Sequence, residues 1–186
     1  NLAGLQILNG CVDKGYYRGL SFWIKLLLKG YHKFIYAGND AHGNFNLYRQ
    51  IKIPMLSLYE KKEQIFGQFR TGVYCRDNIK DINSTISAMK SGNCFVTNGP
   101  FIKMTCHAND SIFEMGSTIQ TKNGVLNINI LSTPEFGKIQ KIIIKKGSLG
   151  DNYEIICFTI INLDSYELND LFEVDTESNC YYRCEV

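Results

Sequence analysis

The hydrophobic pattern of this chain changes at one point, and that change constrains the fold more than any other feature of the sequence. Before the turn segment Asn98-Gly99-Pro100, short apolar runs alternate with segments of helical periodicity. After it, every run is alternating or β-branched, as in strands, and Asn, Gly, Asp and Ser separate the runs. The pattern predicts an α/β domain over residues 1–100 and an all-β domain over residues 101–186.

The first half contains one clear strand-helix-strand unit. Residues 5–8 and 34–37 are short apolar runs, and between them, over residues 17–29, apolar side chains recur at helical spacing up to Gly30. Short links between these elements favour a β-α-β crossover in a parallel sheet. Residues 44–68 match neither period, and we expect an insertion or lid-like loop there.

The second half carries five strand-like runs, over residues 101–106, 125–131, 139–145, 153–161 and 180–186. The run over residues 125–131 alternates apolar and polar side chains, which is typical of a half-exposed antiparallel strand. We therefore expect an immunoglobulin-like β-sandwich in this half.

Composition excludes several classes of partner. The 186 residues are 45% hydrophobic and 20% charged, which is ordinary for a globular protein. A net charge of +2 gives no strong signal for nucleic acid. No apolar run approaches the roughly 20 residues that a membrane-spanning helix needs. Any partner must therefore be identified from the chemistry of a site.

The seven cysteines show no C-x-x-C pair, and several of them lie in apolar runs. Because a chain of this length can build a core without disulfides, we expect free, buried thiols in a reducing compartment, which favours the cytoplasm. A bridge between Cys180 and Cys184 is not expected, since residues four apart in a strand lie about 13 Å from each other.

The segment Asp40-Ala41-His42 follows the second predicted strand. Ligands of parallel α/β folds gather at the carboxyl ends of strands, and an Asp and a His two residues apart can reach the same cation. The spacing alone also fits a turn Asp that bonds its own backbone next to a surface His. Both interpretations are open on the spacing.

Five segments stand in order along the chain: residues 8–10, 23–30, 38–43, 70–74 and 88–100. With the run 133–137 and the closing Tyr-Tyr-Arg, they resemble the C-terminal part of the PHP (polymerase and histidinol phosphatase) metallohydrolase superfamily, in particular its carbaryl-hydrolase-like branch. The resemblance implies the last third of a PHP-type (β/α)7 barrel followed by the β-sandwich.

The resemblance also implies a function. Asp40 and His42 match the family's final Asp-x-His motif, whose side chains coordinate divalent Zn, Mn or Fe ions in a cluster. Such a cluster would activate water against a phosphoester or an amide or carbamate of a small molecule. The family's early His motifs have no counterpart in this chain, and we interpret His32 and His107 as structural.

The chain begins and ends within strand-like runs, so we interpret it as a piece of a longer protein and expect it to be inactive alone. Its catalytic residues are not identified. Asn39, which stands where the family more often has Ser, and Arg70, which opens a predicted strand, are the candidate substrate-binding residues. Arg70 also fits a solvated or salt-bridged residue. The competing hypothesis is a degenerate, non-catalytic barrel whose β-sandwich binds carbohydrate or another protein.

Overall fold

The structure is a computed structural model that describes residues 2–39, 67–75, 81–175 and 179–186. Asp40, His42 and nearly all of the predicted insertion at residues 44–68 lie outside the described residues. None of the described helices is long and apolar enough to cross a membrane.

The chain opens with the predicted β-α-β unit. Strand β1 (Gly4–Asn9) and strand β2 (Phe34–Gly38) are parallel, and helix α1 (Lys14–Leu28) connects them. The helix begins because the Asp13 side chain accepts a hydrogen bond of 2.9 Å from the backbone N–H of Tyr16. Gly30 follows its end with a φ of 81°, a conformation that favours glycine.

A second small unit follows. It consists of strand β3 (Arg70–Val73), helix α2 (Ile82–Lys90) and strand β4 (Cys94–Thr97). The two strands pair antiparallel, and the helix lies between them in the chain. Asp81 caps α2 by accepting a hydrogen bond from the backbone N–H of Ser84 at 2.7 Å.

The predicted (β/α)7 barrel is wrong for the part of the chain that the structure describes. The described residues up to 100 form two two-stranded sheets and two helices, and one of those sheets is antiparallel. A closed barrel requires parallel strands bonded to one another around a complete ring. The apolar pattern correctly indicates one crossover, but a single crossover does not close a barrel.

The second half consists of two antiparallel sheets. The strands are β5 (Phe101–Ala108), β6 (Ser111–Glu114), β7 (Asn123–Leu131), β8 (Ile139–Ser148), β9 (Ile155–Ser165), β10 (Glu167–Asp175) and β11 (Cys180–Glu185). Their order is β10-β7-β5-β6 in the four-stranded sheet and β11-β8-β9 in the three-stranded sheet.

A single apolar core lies between these two sheets. Its most deeply buried side chains are Ile128 and Ile130 of β7 and Ile142 and Ile144 of β8. These residues alternate along their strands, so one face of each sheet is apolar and packs against the other sheet. Leu126 of β7, Ile139 of β8, and Phe172 and Val174 of β10 complete the buried cluster.

The strand order differs from that of an immunoglobulin fold, so that part of the expectation is also wrong. In an immunoglobulin fold the first strand is an edge strand, and the second strand is its one neighbour in the sheet. If β5 to β11 are counted as strands one to seven, β5 should therefore pair with β6 and with no other strand. Here β5 lies between β6 and β7. Alternation identifies the buried face of a strand, but it does not determine which strands are neighbours.

The two halves contact each other directly. The backbone N–H of Gly150 donates to the carbonyl of Leu28 at 2.8 Å. The Tyr74 hydroxyl donates to the carbonyl of Ile102 at 2.5 Å. The proposed boundary at residue 100 is neither supported nor contradicted by these contacts, and it stays a prediction.

All seven cysteines fall within the described residues, and none of them forms a disulfide bond. Burial raises the pKa of Cys94 to about 11, and it raises that of Cys184, with a contribution from the neighbouring Glu185, to about 12. These thiols are therefore protonated at neutral pH and are poor nucleophiles.

Candidate functional site

The described part of the predicted site lies near the end of β2. Strand β2 ends at Gly38, so Asn39 and the Asp-x-His segment follow the carboxyl end of a parallel strand. The backbone N–H of Gly10 donates to the carbonyl of Gly38 at 3.0 Å, which ties the ends of β1 and β2 together. Asp40 and His42 themselves lie outside the described residues.

Asn39 and Arg70, the two predicted substrate-binding residues, lie close together in the structure. The Asn39 side-chain oxygen accepts a hydrogen bond of 2.5 Å from the backbone N–H of Phe69, the residue before Arg70. Beside this contact, the Thr71 hydroxyl exchanges hydrogen bonds with the backbone N–H and carbonyl of Ala37, at 2.9 and 3.1 Å. The start of β3 is thus held against the end of β2, although the two strands belong to different sheets.

The Arg70 guanidinium lies over an aromatic ring contributed by the second half of the chain. Its central carbon is 5.2 Å from the centroid of Phe136, within the range of a cation–π contact. Arg70 is exposed, and no carboxylate among the described residues forms an ion pair with it. Sequence reasoning assigned no role to Phe136, and its only signal was the resemblance of the run 133–137.

The loop that carries Phe136 is held by its own backbone. The N–H groups of Phe136 and Gly137 both donate to the carbonyl of Thr133, at 3.0 and 2.9 Å. The Ser132 hydroxyl donates to the carbonyl of Gly137 at 2.6 Å, and Gly137 has a φ of 86°. The loop therefore presents Phe136 from a turn closed by three hydrogen bonds.

Tyr74 attaches the same region to the sandwich. Its ring contacts Phe95 of β4 and Phe101 of β5, with centroid separations of 5.9 and 5.3 Å. The Lys103 ammonium lies 5.7 Å from the Tyr74 centroid. Burial, together with the negative charge of Glu114, raises the pKa of the Tyr74 hydroxyl, so this group stays a hydrogen-bond donor at neutral pH.

The described residues contain no group of three or more His, Cys, Asp or Glu side chains that could hold a metal ion. His32 packs edge-on against Phe34, with ring centroids 4.9 Å apart, and His107 is an exposed residue of β5. The interpretation of both histidines as structural residues stays a prediction.

A separate cleft of the described residues lies at one end of the four-stranded sheet. It has a volume of about 1060 Å³, and its polar lining includes His107, Asp110, Glu173 and Asp175. The Asp175 carboxylate is paired with the Lys146 ammonium at 3.2 Å. Sequence reasoning did not identify this cleft, because its lining comes from the ends of four strands that alternation does not place together.

Comparison of the chain with models of protein families, with curated proteins and with solved structures found no significant match.

Proposed function

We propose that the full-length protein is a metal-dependent hydrolase of phosphoesters or of amides and carbamates. In this proposal Asp40 and His42 are metal ligands, and Asn39 and Arg70 contact a small-molecule substrate. The observation that supports it most is the placement of Asn39 beside Arg70 at the carboxyl end of β2, immediately before Asp40. The carboxyl ends of parallel strands are where α/β folds assemble their sites.

The donor set fits the proposed ions. A carboxylate and an imidazole are ligands that Zn, Mn and Fe accept, and the two side chains follow a strand end that is fixed by hydrogen bonds. When bound, such ions would supply water activation near neutral pH. Two ligands do not complete a cluster, so further ligands from the full-length protein are part of the proposal.

The roles of the chain's own residues follow from their contacts. Arg70 offers a planar, permanently charged set of donors suited to an anionic oxygen. The Asn39 amide is oriented by the bond that its oxygen accepts from Phe69, which fixes the backbone immediately before Asp40. We also place the protein in the cytoplasm, because seven cysteines without a disulfide bond are typical of a reducing compartment.

The test is metal content by elemental analysis and phosphoester hydrolysis, both measured on the full-length protein. The double variant Asp40→Ala/His42→Ala is compared with the matched variant Asp151→Ala/His32→Ala, which removes the same two side-chain types at exposed positions. We expect bound Zn, Mn or Fe and activity in the wild type and in the matched variant, and loss of both in Asp40→Ala/His42→Ala. Equal metal content and activity in the two double variants would contradict the proposal.

A second candidate function is supported by the cleft at the end of the four-stranded sheet. Its exposed carboxylates and imidazole are hydrogen-bonding groups of the kind that hold carbohydrate hydroxyls, which fits a non-catalytic binding module. A metal-free, inactive wild type that binds an oligosaccharide array, and loses that binding in Glu173→Ala, would favour this function over hydrolysis.

A further inference from the structure

We propose that Phe136 is a positioning residue which holds the Arg70 guanidinium as a subsite for a phosphoryl oxygen, so that the sandwich loop 132–137 forms part of the substrate site. The inference rests on the proposed function and narrows its substrate class to phosphoesters. It depends on contacts among described residues only.

Among the described residues, Arg70 has no carboxylate partner. An arginine at a strand start is commonly neutralised by a carboxylate, yet none of the described acidic side chains pairs with this one. Its guanidinium lies instead on the Phe136 ring, 5.2 Å from the centroid. A ring stacked on a guanidinium orients it without using its N–H donors, which stay available for an anion.

Arg70 and Phe136 are also connected through β4 and the turn that follows it. Arg70 is paired across the β3–β4 ladder with Thr97. The Thr97 hydroxyl donates to the carbonyl of Pro100 at 2.6 Å and accepts from the N–H of Gly99 at 2.9 Å, which fixes the turn after β4. Gly99 in turn lies directly against Phe136, and the ring of Phe136 returns to Arg70.

Phe136 packs closely against Gly99. A Cβ placed on Gly99 would lie 2.7 Å from both the Cγ and the Cδ1 of Phe136, closer than side-chain carbons approach one another. The absence of a side chain at Gly99 is therefore what lets the ring reach Arg70. The hydrogen-bonded turn from Ser132 to Gly137 holds the ring from the other side.

Arg70 follows directly after a residue that is bonded to the end of β2. Asn39, bonded to the residue before Arg70, is at the carboxyl end of β2. The backbone at the start of β3 therefore lies next to the strand end at which the proposed function places the substrate, and the Arg70 guanidinium carries the charge that a phosphoester requires. The sandwich is then a contributor to substrate binding, not a separate appendage.

The test is titration of inorganic phosphate into the full-length protein after metal removal by chelation, followed by 31P NMR. Chelation removes any phosphate bound to metal, so the readout does not depend on the proposed function. The variants are Arg70→Ala, Phe136→Leu, Phe136→Tyr and, as a matched control, Tyr166→Leu. Tyr166 is an aromatic residue of the same domain with 36% exposure against 38% for Phe136, and it lies over Lys138 instead of Arg70.

We expect saturable phosphate binding in the wild type and loss of that binding in Arg70→Ala. In Phe136→Leu the dissociation constant should rise roughly threefold, which corresponds to the loss of one exposed cation–π contact. Phe136→Tyr, which keeps the ring, and Tyr166→Leu should bind as the wild type does. With a phosphoester substrate, Phe136→Leu should raise KM with little change in kcat.

Wild-type affinity in Phe136→Leu, or no saturable binding by the wild type, would overturn the inference. If the wild type holds no metal and hydrolyses nothing but shows the expected order of phosphate affinities, the proposed function fails and the phosphate subsite stands. If hydrolysis is confirmed and the Phe136 variants are indistinguishable from the wild type, the hydrolase stands and the role of Phe136 does not.

Discussion

Arg183 and Glu154 form a bidentate ion pair in which Nε and Nη2 of the guanidinium each donate to one carboxylate oxygen at 2.6 Å. The pair is almost fully buried, with side-chain exposures of 10% and 7%. Arg183 Nη1 also donates to Glu185 at 2.5 Å, and the Tyr181 hydroxyl donates to Glu154 at 2.9 Å. The ring of Trp23, from α1, lies 5.9 Å from the same guanidinium, so the pair lies where the helix meets the three-stranded sheet.

Removal of Arg183 should strongly destabilise the fold. Arg183→Met leaves the Glu154 carboxylate buried without its cation, and we expect the free energy of unfolding to fall by about 3 kcal/mol. The double variant Arg183→Met/Glu154→Gln should recover part of that loss, because no charge is then left buried. Urea denaturation of the 186-residue chain measures both.

The control for this prediction is Lys138→Met, which breaks the exposed pair between Lys138 and Asp164, 2.9 Å apart. Solvent screens that pair, so its removal should leave the denaturation midpoint nearly unchanged. The prediction fails if Arg183→Met is no more destabilising than Lys138→Met.

Glu185 should contribute to the loss of stability in acid. Burial alone would raise the pKa of its carboxyl, but hydrogen bonds from Lys145 and Arg183 outweigh burial and hold the pKa below its ordinary value of 4.5. A lowered folded-state pKa means that the carboxylate stabilises the fold above the unfolded-state value. That contribution is lost as pH falls through the folded-state pKa.

We therefore expect the free energy of unfolding to decrease as pH drops below about 4.5, and to decrease less in Glu185→Gln than in the wild type. The measurement is the urea midpoint at pH 7 and at pH 3. Glu167→Gln, at an exposed position of β10, controls for the loss of one negative charge. Identical pH dependence in Glu185→Gln and the wild type would argue against a role for Glu185.

Truncation in the sandwich core should cost far more than truncation on its surface. Ile128 has no exposed surface, and Ile128→Ala should lower the free energy of unfolding by about 3 kcal/mol through lost burial and an unfilled cavity. Ile156 of β9 is 60% exposed, and Ile156→Ala should cost less than about 1 kcal/mol. Similar costs for the two variants in urea denaturation would contradict the packing described above.

Sequence periodicity predicted local features of the fold and failed on long-range ones. The alternation over residues 125–131 identifies β7 and its buried Ile128 and Ile130, because one face of a half-exposed strand must be apolar. The placement of β5 between β6 and β7 depends on pairings between distant strands, which leave no mark in the pattern of one strand. The barrel expectation failed for a related reason. It came from the resemblance of short segments, and such segments do not show how distant strands pair.

The candidate site also combines residues that local patterns predict with residues that only long-range contacts bring in. The position of Asn39 after a parallel strand could be predicted from the β-α-β pattern, and Arg70 from the start of the next strand. Phe136 could not, because it is 66 residues from Arg70 in the chain and reaches it only through the turn at Gly99. The Arg183–Glu154 pair was missed for the same reason, since its two members lie 29 residues apart.

Trp23 provides a test of whether the two halves of the chain unfold together. It is the only tryptophan of the chain, its indole N–H donates to the carbonyl of Lys33 at 2.7 Å, and its ring lies against Arg183 of the sandwich. Because α1 also accepts a hydrogen bond from Gly150 through Leu28, separation of the halves would expose Trp23 to water. We therefore expect Trp23 fluorescence and the far-ultraviolet circular dichroism of the strands to change at the same urea concentration, as one cooperative transition.

Tyr74→Phe, which removes the hydroxyl bond to Ile102, should lower the common midpoint without splitting it, because the contacts of Trp23 remain. A fluorescence transition that precedes the circular dichroism transition in the wild type would instead show that the first half unfolds by itself, as an independent domain ending near residue 100 would do.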